Sequence, residues 1–432
     1  MKNTSTFQIA LIAVFVVAAL VAVVIFATSR SSSAKNFPAI TIWGTLPQDA
    51  VNTAIDTVNK LGTSKKLVIT YVQKQERDFD RVLTEALASG AGPDAILFPH
   101  TSLYRQRARI FQIPESSLPL RTFKDTYIDQ GDLFLAPGGL WALPVGVDPL
   151  VMYWNKSIFA GAGLAKPPRY WDEFLTLSQK LTKRDGAGNI VRGTVAFGEF
   201  ANVTNAKELL STLFMQAGTP IVSVDAAGRG SSQLAGRFGY AETPAQAVLN
   251  FYTQFSNPAK TTYSWNRSLK DSQTMFLGGD LALHFAFVSD FGGLSEKNPN
   301  LNFDVAPIPQ QRDAKTQLGY GRMYGLAAMK AGKDVLGTIT VLSVLSGPDF
   351  AAELGRLANL TPARRDLLSV TPADPVSVEA FRAALISRAW LDPEPVASTA
   401  VFKHMVEGIT SGKYRPSEAV SAGSSELQSL LQ

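Results

Sequence analysis

Three short segments of this 432-residue chain place an aromatic or forked polar side chain directly after an apolar run. Trp43 follows Ile40-Thr41-Ile42, Gln75 and Glu76 follow Leu67 to Val72, and His100 follows Ala95 to Phe98. An aromatic plate beside amides, carboxylates and imidazole suits a molecule with flat apolar faces edged by hydroxyl groups. The ring covers the face while the forked groups take the hydroxyls. Each residue also has a plainer reading: Trp43 closing a sheet core, Gln75 and Glu76 starting a solvated charged helix, and His100 sitting in a surface loop. Trp265, Phe285 and Phe287 are candidates for an opposing plate, and each taken singly fits a core better. Catalytic patterns are mostly absent. The three histidines, His100, His284 and His404, come without cysteine and without a His-Glu-x-x-His pair, which speaks against a zinc site. Neither a nucleophile elbow, a phosphate-cradling loop nor a dinucleotide fingerprint occurs. Asp185-Gly186-Ala187-Gly188-Asn189 lacks the spacing and closing Glu of a calcium loop and reads as a tight turn. No metal and no cofactor is expected. A carboxylate pair for glycoside hydrolysis, Glu76 with Asp148, stays open as a rival, because its separation is a property of the fold.

The elements that position these groups follow a regular grammar. Strand-like Ala39 to Gly44, helical Asp49 to Leu61 with Val51, Ala54, Ile55 and Val58 on one face, strand-like Leu67 to Val72, helical Asp78 to Ser89 and strand-like Asp94 to Phe98 succeed one another with short connections. That order predicts an α/β sheet with parallel strands, whose ligands lie at the carboxyl ends of the strands. Those ends carry Trp43, Gln75, Glu76 and His100. Helical stretches at 170–183, 206–217 and 244–255, separated by turns, predict a second lobe, and the last hundred residues read as mainly helical. No internal repeat is seen.

With 46% hydrophobic residues the chain can bury two or three cores. Three of its five net positive charges are Lys2, Arg30 and Lys35, in a stretch without Asp or Glu, so the basic balance gives no nucleic-acid signature and no such partner is expected. The absence of cysteine excludes disulfides and a lipidated N-terminal thiol. Ile9 to Ala27 is an unbroken apolar run, about 28 Å long as a helix, which matches the hydrocarbon thickness of a bilayer. It exceeds the usual apolar region of a cleaved signal peptide, although the flank Thr28 to Ala34 offers small residues for cleavage. The expectation is one transmembrane anchor, N-terminus inside, with a Ser-rich tether carrying the folded part outside the membrane.

Four local patterns resemble the family 1 extracellular solute-binding proteins, whose members bind maltose and other sugars for ABC importers. They are Ser89-Gly-Ala-Gly-Pro-Asp-Ala-Ile96; Gly139-Leu-Trp-Ala-Leu-Pro144 with Met152-Tyr-Trp-Asn-Lys156; Pro167-Pro-Arg-Tyr-Trp-Asp-Glu-Phe174; and Phe276-Leu-Gly-Gly-Asp-Leu-Ala-Leu283. Their order covers roughly residues 39 to 330. Trp154 stands where the family commonly has Tyr, and Tyr170 where it has a threonine helix cap. The resemblance implies the two-lobed type II fold of periplasmic binding proteins, closing over one ligand about a hinge. It implies a first lobe of residues 37–146 plus about 305–347 and a second of 147–304 plus about 348–432, with crossings near 146–150, 302–309 and 346–350. It places Asp148 on the first crossing, Arg322 and Tyr324 in a cleft-lining turn, and Trp390 as a late aromatic plate. It further implies a monomeric binding protein, not an enzyme, that carries a mono- or oligosaccharide to ABC permease subunits. A membrane-anchored glycoside hydrolase and a sensory module without transport remain alternatives on the same fold.

Overall fold

The computed structural model describes residues 37–62, 66–225 and 227–432; the expected anchor, Ile9 to Ala27, lies outside the described residues. Strand β1 (Ile40–Gly44) pairs in parallel with β2 (Ile69–Gln73) on one side and with β3 (Ala95–Pro99) on the other. In β1, burial alternates with the two-residue period of a strand: Ile40, Ile42 and Gly44 are buried while Thr41 and Trp43 on the opposite face are half-buried. Helix α1 (Gln48–Leu61) buries Ala50, Val51, Ala54 and Ile55, and α2 (Phe79–Ala88) buries Phe79 and Leu83. These contacts make the first core, with Phe98, Phe134, Val147 and Leu326 at its centre.

A single 13-residue strand, β4 (Leu143–Asn155), joins this core to a second one. Over Leu143 to Pro149 it runs antiparallel to β8 (Gly319–Ala328), which in turn pairs with β3. Over Leu150 to Asn155 it is flanked by β6 (Leu281–Phe287) and β7 (Phe303–Ala306), and β6 pairs in parallel with β5 (Ile190–Val195). The exchange of partners falls on Pro149, the residue type that has no amide hydrogen to give a ladder. Its carbonyl still accepts from Val288 N at 3.0 Å.

The second lobe is capped by α3 (Glu173–Leu181), α4 (Ala206–Gln216) and α5 (Pro244–Thr253), in the segments whose sequence reads as helical. Its core is aromatic. Phe197 stacks on Phe174 with ring centroids 5.7 Å apart and meets Phe255 edge-on at 5.3 Å, geometries that suit the ring quadrupole.

The later elements divide between the lobes. α6 (Val335–Leu345) and α7 (Pro348–Ala358) bury Val341, Leu342, Phe350 and Leu354 in the first core. α9 (Pro395–Thr410) and α10 (Pro416–Ser429) bury Phe402, Met405 and Leu427 in the second. Between them, α8 (Pro375–Ile386) sits at the junction, with Ala383 in the second core and Ala384 in the first. The first crossing falls at Pro149. The other two fall later than the sequence patterns suggest: β7, inside the expected 302–309 crossing, still pairs with the second-lobe half of β4, and the return is made by β8. The Gly347-Pro348 break reads like a domain boundary but only bends one helix pair into another within the first lobe.

Close approach at the junction depends on Gly321, paired with Pro149. A Cβ there would lie 2.7 Å from Ser387 Oγ and 2.8 Å from Gln130 Oε1 and Val147 Cγ2. Gly321→Ala is therefore expected to destabilise the fold by about 1–3 kcal/mol, seen as a lower urea midpoint with an unchanged slope; an unaltered midpoint would show that the junction has room.

Candidate ligand-binding cleft

The carboxyl ends of β1, β2 and β3 face the lobe junction and bring Trp43, Thr45, Lys74, Glu76 and His100 to one edge of the first sheet. Trp43 is half-buried, and Lys74 Nζ sits 4.0 Å from its ring centroid. The Thr45 hydroxyl oxygen is buried without a hydrogen-bond partner, an atom prepared for an acceptor or donor that the chain does not supply. Gln75 and Glu76 are exposed.

Arg322 occupies the middle of the junction. It is paired in register with Asp148, its guanidinium carbon lies 4.5 Å from the Phe287 ring centroid, and its Nη1 is 4.0 Å from Glu76 Oε2. Burial alone would favour its neutral form, but interaction with Tyr324, Glu76 and Glu208 outweighs this and raises its pKa further above the ordinary arginine value. Glu76 comes from the first lobe and Glu208, near the N-terminus of α4, from the second. The Arg322 cation thus feels carboxylates of both lobes. A separate groove of about 550 Å³ is walled by Tyr104, Trp141 and Leu391 together with Val224.

A model of the bacterial extracellular solute-binding protein family matches residues 46–337, about two thirds of the chain. The chain belongs to this family. Among relatives, a protein of Brucella abortus strain 2308, provisionally named a binding protein, is 26% identical over 191 residues; the match spans 43% of this chain and 42% of that protein, under half of its length. Solved structures with the same fold include a cyclo/maltodextrin-binding protein complexed with maltotetraose (TM-score 0.74, 15% identity, 93% of this chain and 99% of that one). They also include a cyclic α-maltosyl-1,6-maltose-binding protein of Arthrobacter globiformis (0.72, 16%, 91% and 99%) and the GacH receptor of Streptomyces glaucescens, solved unliganded and with acarbose (0.67, 17%, 91% and 98%). At these identities the likeness is one of fold.

Within this solute-binding protein the sequence-derived candidates separate into two groups. Trp43, Gln75, Glu76 and Arg322 lie toward the junction, with Trp43 half-buried and Gln75 and Glu76 exposed, whereas Phe287 and Tyr324 are buried in the second and first cores. Trp265 and Trp390 do not serve as exposed plates here: both are buried in the second core. Trp265 donates its indole N–H to Asn202 Oδ1, and Trp390 donates to Ser211 Oγ while stacking on Phe402. A large ring gains more from complete burial than from the rim of a cleft, and its composition signal is the same in either place.

His100 and Asp148 lie beneath the cleft surface. His100 is buried, accepts from Met323 N through Nδ1 at 3.2 Å, and points Nε2 at the Tyr320 hydroxyl, 3.4 Å away. Burial, reinforced by the charges of Arg322 and Lys207, pushes its pKa down to about 3, so the ring is neutral near pH 7. Asp148 spends both oxygens on one second-lobe residue: Ser289 N donates to Oδ1 at 3.1 Å and Ser289 Oγ to Oδ2 at 2.6 Å. Asp148 is thus a tie across the hinge. The residues that sequence reading missed are Lys207 and Glu208. Lys207 is anchored by Asp392 at 2.7 Å, and no local motif marks either residue beyond the start of an amphipathic helix.

Burial raises the Asp148 pKa from 3.8 to about 6 against the opposing pull of Ser289 and Arg322. The folded state therefore binds this proton more tightly than the unfolded chain does. Its contribution to stability is greatest below the ordinary value of 3.8 and is lost as pH rises through about 6. Asp148→Asn removes that proton linkage, so the stability of wild type relative to the variant is expected to fall between those pH values in urea titrations; parallel profiles would exclude Asp148 as the source.

Proposed function

We propose that the chain captures a mono- or oligosaccharide between its two lobes and delivers it to the permease subunits of an ABC importer. The observation that carries this reading is the junction itself. The half-buried Trp43 ring of the first lobe stands beside Lys74, and the Arg322 guanidinium is seated over the buried Phe287 ring of the second lobe. Rings cover sugar faces while fixed donors and acceptors take hydroxyls. The fold neighbours solved with maltotetraose and with acarbose support the same ligand class.

Binding without catalysis is the reading that the carboxylates favour. A glycosidase needs one carboxyl free to give a proton and another free to act opposite it. Glu76 lies 4.0 Å from the Arg322 guanidinium, and both oxygens of Asp148 are taken by Ser289. The protein is read as a monomer. Ile9 to Ala27 is proposed as an uncleaved anchor that holds the folded part outside the membrane. This rests on the length and purity of its apolar run, since among the described residues no single helix is long and apolar enough to cross a membrane.

A thermal-shift panel of mono- and oligosaccharides, polyols, amino acids and anions on the full chain in detergent tests the proposal, because a ligand specific to the folded state raises its stability with concentration. A shift confined to saccharides, with the sugar recovered unchanged, is the expected result, and Trp43→Ala is expected to weaken the binding about tenfold or more while leaving the ligand-free melting temperature in place. Hydrolysis of the sugar, or a shift from another class alone, would overturn it.

A further inference from the structure

Adjacent residues of a short first-lobe helix (Leu103–Gln106) reach across to the second lobe. The Arg105 guanidinium forms an ion pair with Asp80 of its own lobe and donates Nη1 to Glu394 Oε1 at 3.0 Å. Gln106 Nε2, 2.7 Å from Asp80 Oδ1, keeps that aspartate in position. Glu394 is fixed on the other side: its second oxygen caps the N-terminus of α9 by accepting from Ala397 N, and α9 is packed into the second core. Next to Arg105, Tyr104 packs against the second core and donates its hydroxyl to the Leu431 carbonyl oxygen at 3.0 Å. The surfaces are pressed together there. A Cβ on Gly230 would lie 2.6 Å from Leu431 Cδ2 and 2.9 Å from Tyr104 Oη.

We infer that Arg105, seated between Asp80 and Glu394, is an electrostatic latch that holds the two lobes closed before any ligand enters. Without the arginine, closure would bring Asp80 and Glu394 toward one another as like charges; with it, each carboxylate finds its counter-ion on closing. The Arg105 side chain is only 27% exposed, so the interaction is less screened than a surface pair. The inference deepens the capture reading above: an affinity for ligand scales with the fraction of protein already in the binding-competent arrangement, so the latch sets part of the affinity for whatever the cleft takes.

The chain has no cysteine, which lets a pair of spin labels be placed at Lys60→Cys on the first lobe and Lys183→Cys on the second and their separation be measured in the ligand-free full-length protein. Arg105→Ala is expected to raise the long-distance population about three- to fivefold. Glu394→Gln, which keeps an oxygen to cap α9, should do the same, and raising the salt should move wild type toward both variants. Arg107→Ala, which removes a cation stacked on Tyr104 at 3.9 Å without breaking the bridge, should leave the distribution alone. Distributions that coincide for wild type, Arg105→Ala and Glu394→Gln at low salt would overturn the latch. Because no ligand is used, that outcome would leave the saccharide reading standing, and silence in the saccharide panel would leave the latch standing.

Discussion

Strand β4 is hydrogen-bonded to one sheet along its first half and to another along its second, and Pro149 lies where its partner changes. A proline at that point interrupts the ladder at low cost, because the amide it lacks is one that neither sheet requires. The two halves of the strand are rigid parts of two cores, so freedom between the lobes concentrates at the junction. Side chains bridge the hinge. Asp148 on the first-lobe half binds Ser289 beyond the second-lobe strand, and β8 brings Arg322 alongside.

The electrostatics of the cleft follow from what such a junction can bury. Isolated charges are costly away from water, and those found here are compensated. Lys207 has Asp392, the Pro395 carbonyl and Ser398; Asp148 has Ser289 and holds its proton up to about pH 6; His100 is neutral. Arg322 lies over the Phe287 ring and near Glu76, and Lys74 lies over the Trp43 ring. A junction with these compensated charges and the half-buried Trp43 ring is suited to a ligand that is recognised by hydroxyl groups and flat faces.

Much of this architecture is legible in the sequence. The parallel strands β1 to β3 and the helices between them announce themselves by period, and the strand-end rule then places Trp43, Glu76 and His100 near the cleft without any homologue. What is not legible is whatever depends on residues far apart in the chain. Asp148 and Ser289 are 141 residues apart, and Arg105 and Glu394 are 289 apart; no local spacing distinguishes such a pair from two solvated polar residues. Trp265 and Trp390 are misplaced by sequence reading for a related reason: a ring that fills a core and a ring that lines a cleft have the same neighbours in sequence. Gly347-Pro348 misleads differently, since a helix break marks the end of a helix and carries no information about which core the next helix joins.

Hydrogen exchange of the full chain, with and without the saccharide that gives the largest thermal shift, tests most directly whether ligand is held between two hinged lobes. The account requires slower exchange at once in the strand ends 43–46, 73–77 and 99–102 of the first lobe and in 205–209 and 288–291 of the second. Protection confined to one lobe, or absent from both for every saccharide, would contradict it.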